Sequence, residues 1–199
     1  ATYIGLTMPR HILRAPYNDE TNPARGMNYN ETVDGLDDSH FLWGNSAFLF
    51  ARNLVKSFAT SGWCQYIRGP KGGGLIGGLP VHTFNSRGEE EVKAPVECSM
   101  PDFRELDLAN AGFIPLIHKK GTGDAVFFSA QSVKKSHVFK DPKDSENSQL
   151  VTNLSYTYSI GRIAHYLKCI MRDNIGSSAD GPYIQKQIDS WISGYVTQM

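Results

Sequence analysis

Between Trp63 and Phe84 the chain sets six glycines and two prolines among apolar residues. Within that run Gly72, Gly74 and Gly77 have the G-x-G-x-x-G spacing. In a dinucleotide site such glycines follow a strand, make a tight turn and open a helix whose N-terminus holds the pyrophosphate. The pattern predicts a strand over 63–67, but Pro80 lies three residues beyond Gly77, with Gly78 between, and no helical apolar period follows. A Walker loop needs Gly-Lys-Ser/Thr, whereas Lys71 is followed by Gly72. Arg68 and Lys71 flank the loop entrance and are the cations that a nucleotide- or anion-binding reading of Gly72–Gly78 would use. The other reading is a structural crossover built from Gly69, Pro70, Gly72, Gly73, Gly74, Gly77, Gly78 and Pro80. Glycine permits close backbone approach, and proline fixes φ and removes a donor. The missing helix favours the crossover, with Lys71 at its exposed tip.

Other side chains capable of chemistry are scattered. The histidines are His11, His40, His82, His118, His137 and His165. No two of them have the i, i+4 spacing of a helical zinc site, and no Cys-x-x-Cys joins them. His82 and Cys64 would make a nucleophile pair only with an activated thiol and an orienting group. The apolar neighbours Trp63 and Tyr66 predict an inert Cys64 instead. His165, between Ala164 and Tyr166, is expected to be partly buried and hydrogen-bonded. There is no Gly-x-Ser-x-Gly elbow. The acids Asp37-Asp38 and Glu89-Glu90-Glu91 read as solvated loop charge. The residues therefore predict no catalytic set and no metal site.

The elements that would position these residues follow from periodicity. Residues 3–8 read as a strand stopped by Pro9, and 15–39 as a long polar loop facing neighbours or solvent. Ala47, Phe48, Ala51, Leu54, Val55 and Phe58 recur at spacings of three and four, predicting a helix over 45–60 with that stripe on the core. Asn45 or Ser46 would cap it and Gly62 would end it. Val92, Ala94, Val96 and Cys98 alternate as a half-buried strand. Ser99 would cap a short helix closed by Gly112. The apolar runs 113–119 and 125–130, joined by Lys120-Gly121-Thr122-Gly123-Asp124, form the clearest hairpin. A second polar loop is expected over 131–147. A long helix then carries Leu150, Leu154, Tyr158, Ile163, Leu167, Ile170 and Met171 and stops at Gly176. Pro182 opens a final helix with Ile184, Ile188, Trp191, Ile192 and Tyr195. The fold class is α+β (mixed α/β), a sheet flanked by helices, in one region over 1–199 with loop insertions at 15–39 and 131–147.

The 199 residues suffice for one sizeable core. Twenty Lys and Arg balance twenty Asp and Glu, so global charge points to neither nucleic acid nor an anionic membrane. No apolar run approaches the roughly 20 residues of a membrane span. Three widely separated cysteines, Cys64, Cys98 and Cys169, fit reduced thiols in a cytosolic protein rather than a disulfide framework.

A series of motifs carries a resemblance across nearly the whole chain, in order. It begins with Leu42-Trp43-Gly44-Asn45-Ser46-Ala47-Phe48, Gly62-Trp63-Cys64 and Ile67-Arg68-Gly69-Pro70. It continues through Gly72-Gly73-Gly74, Gly78-Leu79-Pro80, His82-Thr83-Phe84, Gly112-Phe113-Ile114-Pro115-Leu116, Ala125-Val126-Phe127-Phe128 and Ala130-Gln131-Ser132. Arg162-Ile163-Ala164-His165-Tyr166-Leu167-Lys168, Ile170-Met171-Arg172-Asp173 and Trp191-Ile192 complete it. The sequence resembles the large subunit of the type VI secretion contractile sheath, the TssC/VipB family. Trp43, Trp63, His82, His165 and Trp191 are the family-like core positions.

That resemblance implies a structural, non-enzymatic role without a cofactor and a fold like the phage tail sheath core domain. It implies pairing with a small sheath subunit (TssB/VipA-like) and polymerisation with further copies of itself around an inner tube (Hcp-like). It also implies contraction that drives the tube outward and disassembly by a ClpV-like AAA+ ATPase. The expected location is the bacterial cytoplasm, as a sheath docked to a membrane-anchored baseplate. Since the large subunit is longer than this chain, a middle-to-C-terminal portion is expected. Contraction needs stiff domains with switchable contacts, which suits a glycine- and proline-rich crossover better than catalysis does.

Overall fold

A computed structural model describes residues 1–24, 26–27, 29–31 and 39–196. The Asp37-Asp38 pair, and part of the 15–39 loop, lie outside the described residues. The fold is α+β, and the chain divides into two compact units, Ala1–Thr157 and Tyr158–Met199.

The first unit is built on a four-stranded sheet in the order β1 (Leu6–Met8), β7 (Phe113–His118), β8 (Ala125–Phe127), β4 (Leu75–Ile76). Strand β7 is the spine, with Ile114 to Ile117 all buried. Such a continuous apolar run marks a strand covered on both faces. Its two halves have different neighbours. Parallel β1 pairs with Phe113, Ile114 and Pro115, and antiparallel β8 pairs with Leu116, Ile117 and His118. Pro115, which has no N–H to give a ladder, stands at the handover between them. The β7–β8 hairpin closes as the sequence predicts, with Lys119 N–H donating to the Asp124 carbonyl at 2.8 Å and Gly121 at φ 73°.

Helix α1 (Ala47–Ser61) forms where expected. The Asn45 side chain accepts from Ala47 N–H at 2.9 Å, and left-handed Gly62 ends the helix by donating to the Phe58 carbonyl. Its orientation corrects the sequence reading. Phe50, Asn53 and Ser57 face inward, while Phe48, Val55 and Phe58 are 76%, 69% and 51% exposed. The inward face is held by Phe50 edge-on to Phe127, with centroids 5.3 Å apart. Ser57 holds it too: its hydroxyl donates to the Trp63 carbonyl at 2.8 Å and accepts from Tyr66 N–H at 3.1 Å. These bonds also replace the strand expected over 63–67, which pairs with nothing in a sheet.

Five further expectations change. The Glu89-Glu90-Glu91 run is not loop; it belongs to β6 (Glu89–Lys93), which pairs antiparallel with β5 (His82–Ser86). The turn between them places Arg87 and Gly88 at φ 52° and 88°, the two positive φ values of a tight hairpin turn. The half-buried strand expected from Val92 to Cys98 is broken, with Val92 and Cys98 exposed and Val96 buried opposite His11. Helix α2 (Asp102–Asn110) starts at Pro101 without a side-chain cap; the Ser99 hydroxyl meets His118 Nδ1 at 3.4 Å instead. The polar stretch 131–147 contains the start of helix α3 (Pro142–Leu150), capped by Asp141, which accepts from Lys143 N–H. Leu150 ends α3, and the long helix α4 begins at Leu154 and runs to Asp173.

The second unit holds most of α4 and all of α5 (Gly181–Ser193). Asp180 caps α5 by accepting from Tyr183 N–H at 3.0 Å, with Pro182 in the first turn. Tyr166, Trp191 and Tyr195 stack in series at 5.8 and 5.2 Å, and Asn174 donates to Gln187 at 2.9 Å. Together these contacts clamp α5 against α4.

Candidate functional site: the glycine crossover

Ile67 and Ile76 are fully buried on either side of the crossover, and Leu79 nearly so. The backbone between these anchors is stitched onto β8. Gly69 N–H donates to the Phe127 carbonyl at 2.7 Å, Phe127 N–H returns to the Gly74 carbonyl at 3.0 Å, and Gly74 N–H closes onto the Gly69 carbonyl at 2.9 Å. Further along, Leu79 N–H donates to the Gly123 carbonyl at 2.8 Å, and Gly78 N–H reaches an Asp124 carboxylate oxygen at 3.3 Å. Gly77 is exposed at the Asp124 side, and Pro80 is half-buried just before β5.

The glycines are demanded by close approach. Gly73 sits at φ 88°, where a Cβ would collide with the Tyr66 carbonyl; a Cβ on Gly74 would collide with the Phe127 carbonyl. At Gly72 it would lie 2.5 Å from the Arg68 carbonyl. Lys71 and Pro70 are exposed.

This geometry bears on the phosphate reading. A cradle presents free backbone N–H groups at a helix N-terminus. Here the Gly69 and Gly74 N–H groups are spent on protein carbonyls. The chain from Gly77 leads through irregular backbone into β5, and no helix opens.

The aromatic motif residues fall into separate groups. In the first unit Phe41 links Trp43 of β3 (Trp43–Gly44) to His82 of β5. Their centroids lie 5.7 and 5.6 Å from the Phe41 ring, and Arg10 sits 5.9 Å above Trp43. His82 therefore packs on an aromatic ring, while the Cys64 thiol faces the Leu54 carbonyl. Trp63 belongs to the α1 terminus, where Ser61 and Ser57 hydroxyls bond its carbonyl. His165 and Trp191 lie in the second unit. His165 is exposed rather than partly buried, with Nε2 at 3.7 Å from the Cys169 thiol. Among the described residues no three His, Cys, Asp or Glu side chains could hold a metal ion. Burial pushes the His11 and His118 imidazoles below their ordinary pKa.

Sequence reasoning missed one polar assembly. The Arg14 guanidinium makes two bonds of 2.7 Å to the Glu31 carboxylate, which also accepts from Tyr17 N–H and the Tyr29 hydroxyl. Arg14 stacks 3.6 Å above the Tyr17 ring. Hydrogen bonding from Arg14, helped by Tyr17 and Tyr29, lowers Glu31 to about 2. This clasp shapes the described part of the 15–39 loop. It joins residues 17 apart in sequence, and no spacing rule announces it.

Comparison with known proteins adds a family. The tail sheath N-terminal domain described as EvpB/VC_A0108 matches residues 1–134, and the tail sheath gpW/gp25-like domain of that description matches residues 143–199. The type VI secretion system sheath protein TssC1 of Pseudomonas aeruginosa is 45% identical over 195 residues, covering 98% of this chain. The chain spans 39% of that relative's length. No helix among the described residues is long and apolar enough to cross a membrane.

Proposed function

Since this chain belongs to the EvpB/VC_A0108 tail sheath family, we propose that it forms part of a type VI secretion contractile sheath, as a structural rather than catalytic component. The observation that carries the reading is the match of both tail sheath domains, in order, along the chain. In this reading the chain is a portion of a subunit of TssC1 length. That subunit pairs with a small sheath subunit and with further copies of itself in a helical tubule. The tubule surrounds an inner tube, contracts to propel it, stands in the cytoplasm on a membrane-anchored baseplate and is dismantled by an AAA+ ATPase.

The geometry supports a mechanical role in two ways. The crossover commits its backbone to β8, which stiffens the sheet edge where a nucleotide loop would stay open. The outward face of α1 leaves Phe48, Val55 and Phe58 exposed, the composition of a surface that a neighbouring subunit covers. The test is co-expression of a TssC1-length protein carrying this sequence with a small sheath subunit, followed by sedimentation. Both chains pelleting together as polymer is the expected result. Two soluble, separable chains under all assembly conditions would defeat the proposal.

A further inference from the structure

The β5–β6 hairpin stands as a two-stranded sheet of its own, and its strand β6 exposes Glu89, Glu90 and Glu91. Alternation puts Glu89 and Glu91 on one face and Glu90 on the other. At the tip Arg87 holds φ 52°, where glycine or asparagine would sit at less cost. A cleft of about 480 Å³ lies elsewhere on the same unit, lined by the ends of α2 and α3 and by the extended stretch after Ser132. Lys134 and Lys135 face it from that stretch, and Asn110 and Gln149 from the helix ends. We propose that this cleft receives the β5–β6 hairpin of a second copy of the chain.

The charges match in kind. The acids of β6 meet Lys134 and Lys135, and the Arg87 guanidinium meets the carbonyl ends of α2 and α3, where the helix dipole favours a cation. Among the described residues no ion pair within the chain engages Arg87, Glu89, Glu90, Glu91, Lys134 or Lys135. Both charge sets are therefore left for a partner. Twenty acids and twenty bases balance in the whole chain, so two copies carry no net repulsion. A hairpin and a cleft at different places on one unit make a heterologous contact, whose repetition builds rings or open helical arrays. The contact deepens the proposed sheath role and rests on that reading for the identity of its partner.

The test is sedimentation velocity of the 199-residue chain alone, at about 0.05 M and about 0.5 M salt. The chain is expected to grow past dimer with concentration at low salt and to lose that growth at high salt. Neutralising the hairpin (Glu89→Gln, Glu90→Gln and Glu91→Gln together) or the cleft (Lys134→Gln with Lys135→Gln) should leave each variant monomeric. Mixing the two variants restores one hairpin and one cleft, and should give one-to-one dimers that grow no further. Arg87→Gly, which suits the turn, should weaken association by about threefold. A monomeric wild type, a neutralised variant that associates like wild type, or a mixture without dimers would each overturn the proposal. Unchanged circular dichroism checks that the variants keep the fold. Since no small sheath subunit is present, failure here is distinguishable from failure of the sheath reading, which the co-expression experiment decides.

Discussion

At Gly73 the backbone conformation and the nearness of the Tyr66 carbonyl both exclude a side chain, whereas Gly78, at φ 71°, faces open space. Gly78→Ala should therefore cost only the left-handed penalty of about 1–2 kcal/mol, and Gly73→Ala more, because backbone must also move. Denaturant midpoints measure the order, and equal costs would contradict the close approach. Glu31 makes a pH prediction. Its folded pKa of about 2 lies below its ordinary 4.5, so its stabilisation is complete above pH 4.5 and fades as pH falls toward 2. The stability gap between the wild type and Glu31→Gln should close over that window in thermal melts. Little of this was legible in the sequence. The glycines announced an unusual backbone, but the approach of Gly74 to the Phe127 carbonyl depends on β8, more than fifty residues away.

Helix α1 shows how an element can be found and still be turned the wrong way. Its cap, length and closing glycine were all readable, because those signals are local. Its buried face was not. Asn53 and Ser57 face inward, and Ser57 holds the Trp63–Tyr66 backbone, while the stripe of larger apolar side chains points out. Phe50→Ala should cost about 3–5 kcal/mol, since Phe50 is buried against Phe127. Phe48→Ser, on the outward face at 76% exposure, should stay within about 0.5 kcal/mol of wild type in the isolated chain and weaken sheath assembly instead. Chemical denaturation of the two variants separates the inner from the outer face. The β7–β8 hairpin was legible because apolar runs flank Gly121 and Gly123. The β5–β6 hairpin was missed because a non-glycine residue, Arg87, takes the left-handed position. Helix α3 buries no residue, so apolar periodicity could not reveal it; only Asp141-Pro142 marks its start.

At the scale of the whole molecule, the chain separates into a sheet-based unit and a two-helix unit. The two tail sheath domains matched by comparison meet between residues 134 and 143, somewhat before the boundary that packing gives. Mixed α and β character was readable from periodicity, and the ordered motifs carried the family. Partners were not readable from either, because they act on surfaces that fold stability does not constrain. Helix α1 carries an exposed apolar face, Phe48, Val55 and Phe58, on the same unit as the crossover. The most direct test of a structural sheath role is negative-stain microscopy of a TssC1-length protein carrying this sequence, co-expressed with a small sheath subunit. Tubules with helical layer lines are the predicted result, with shorter or fewer tubules for Phe48→Ser. Dispersed particles without helical order, under every condition in which both chains are folded, would contradict the account.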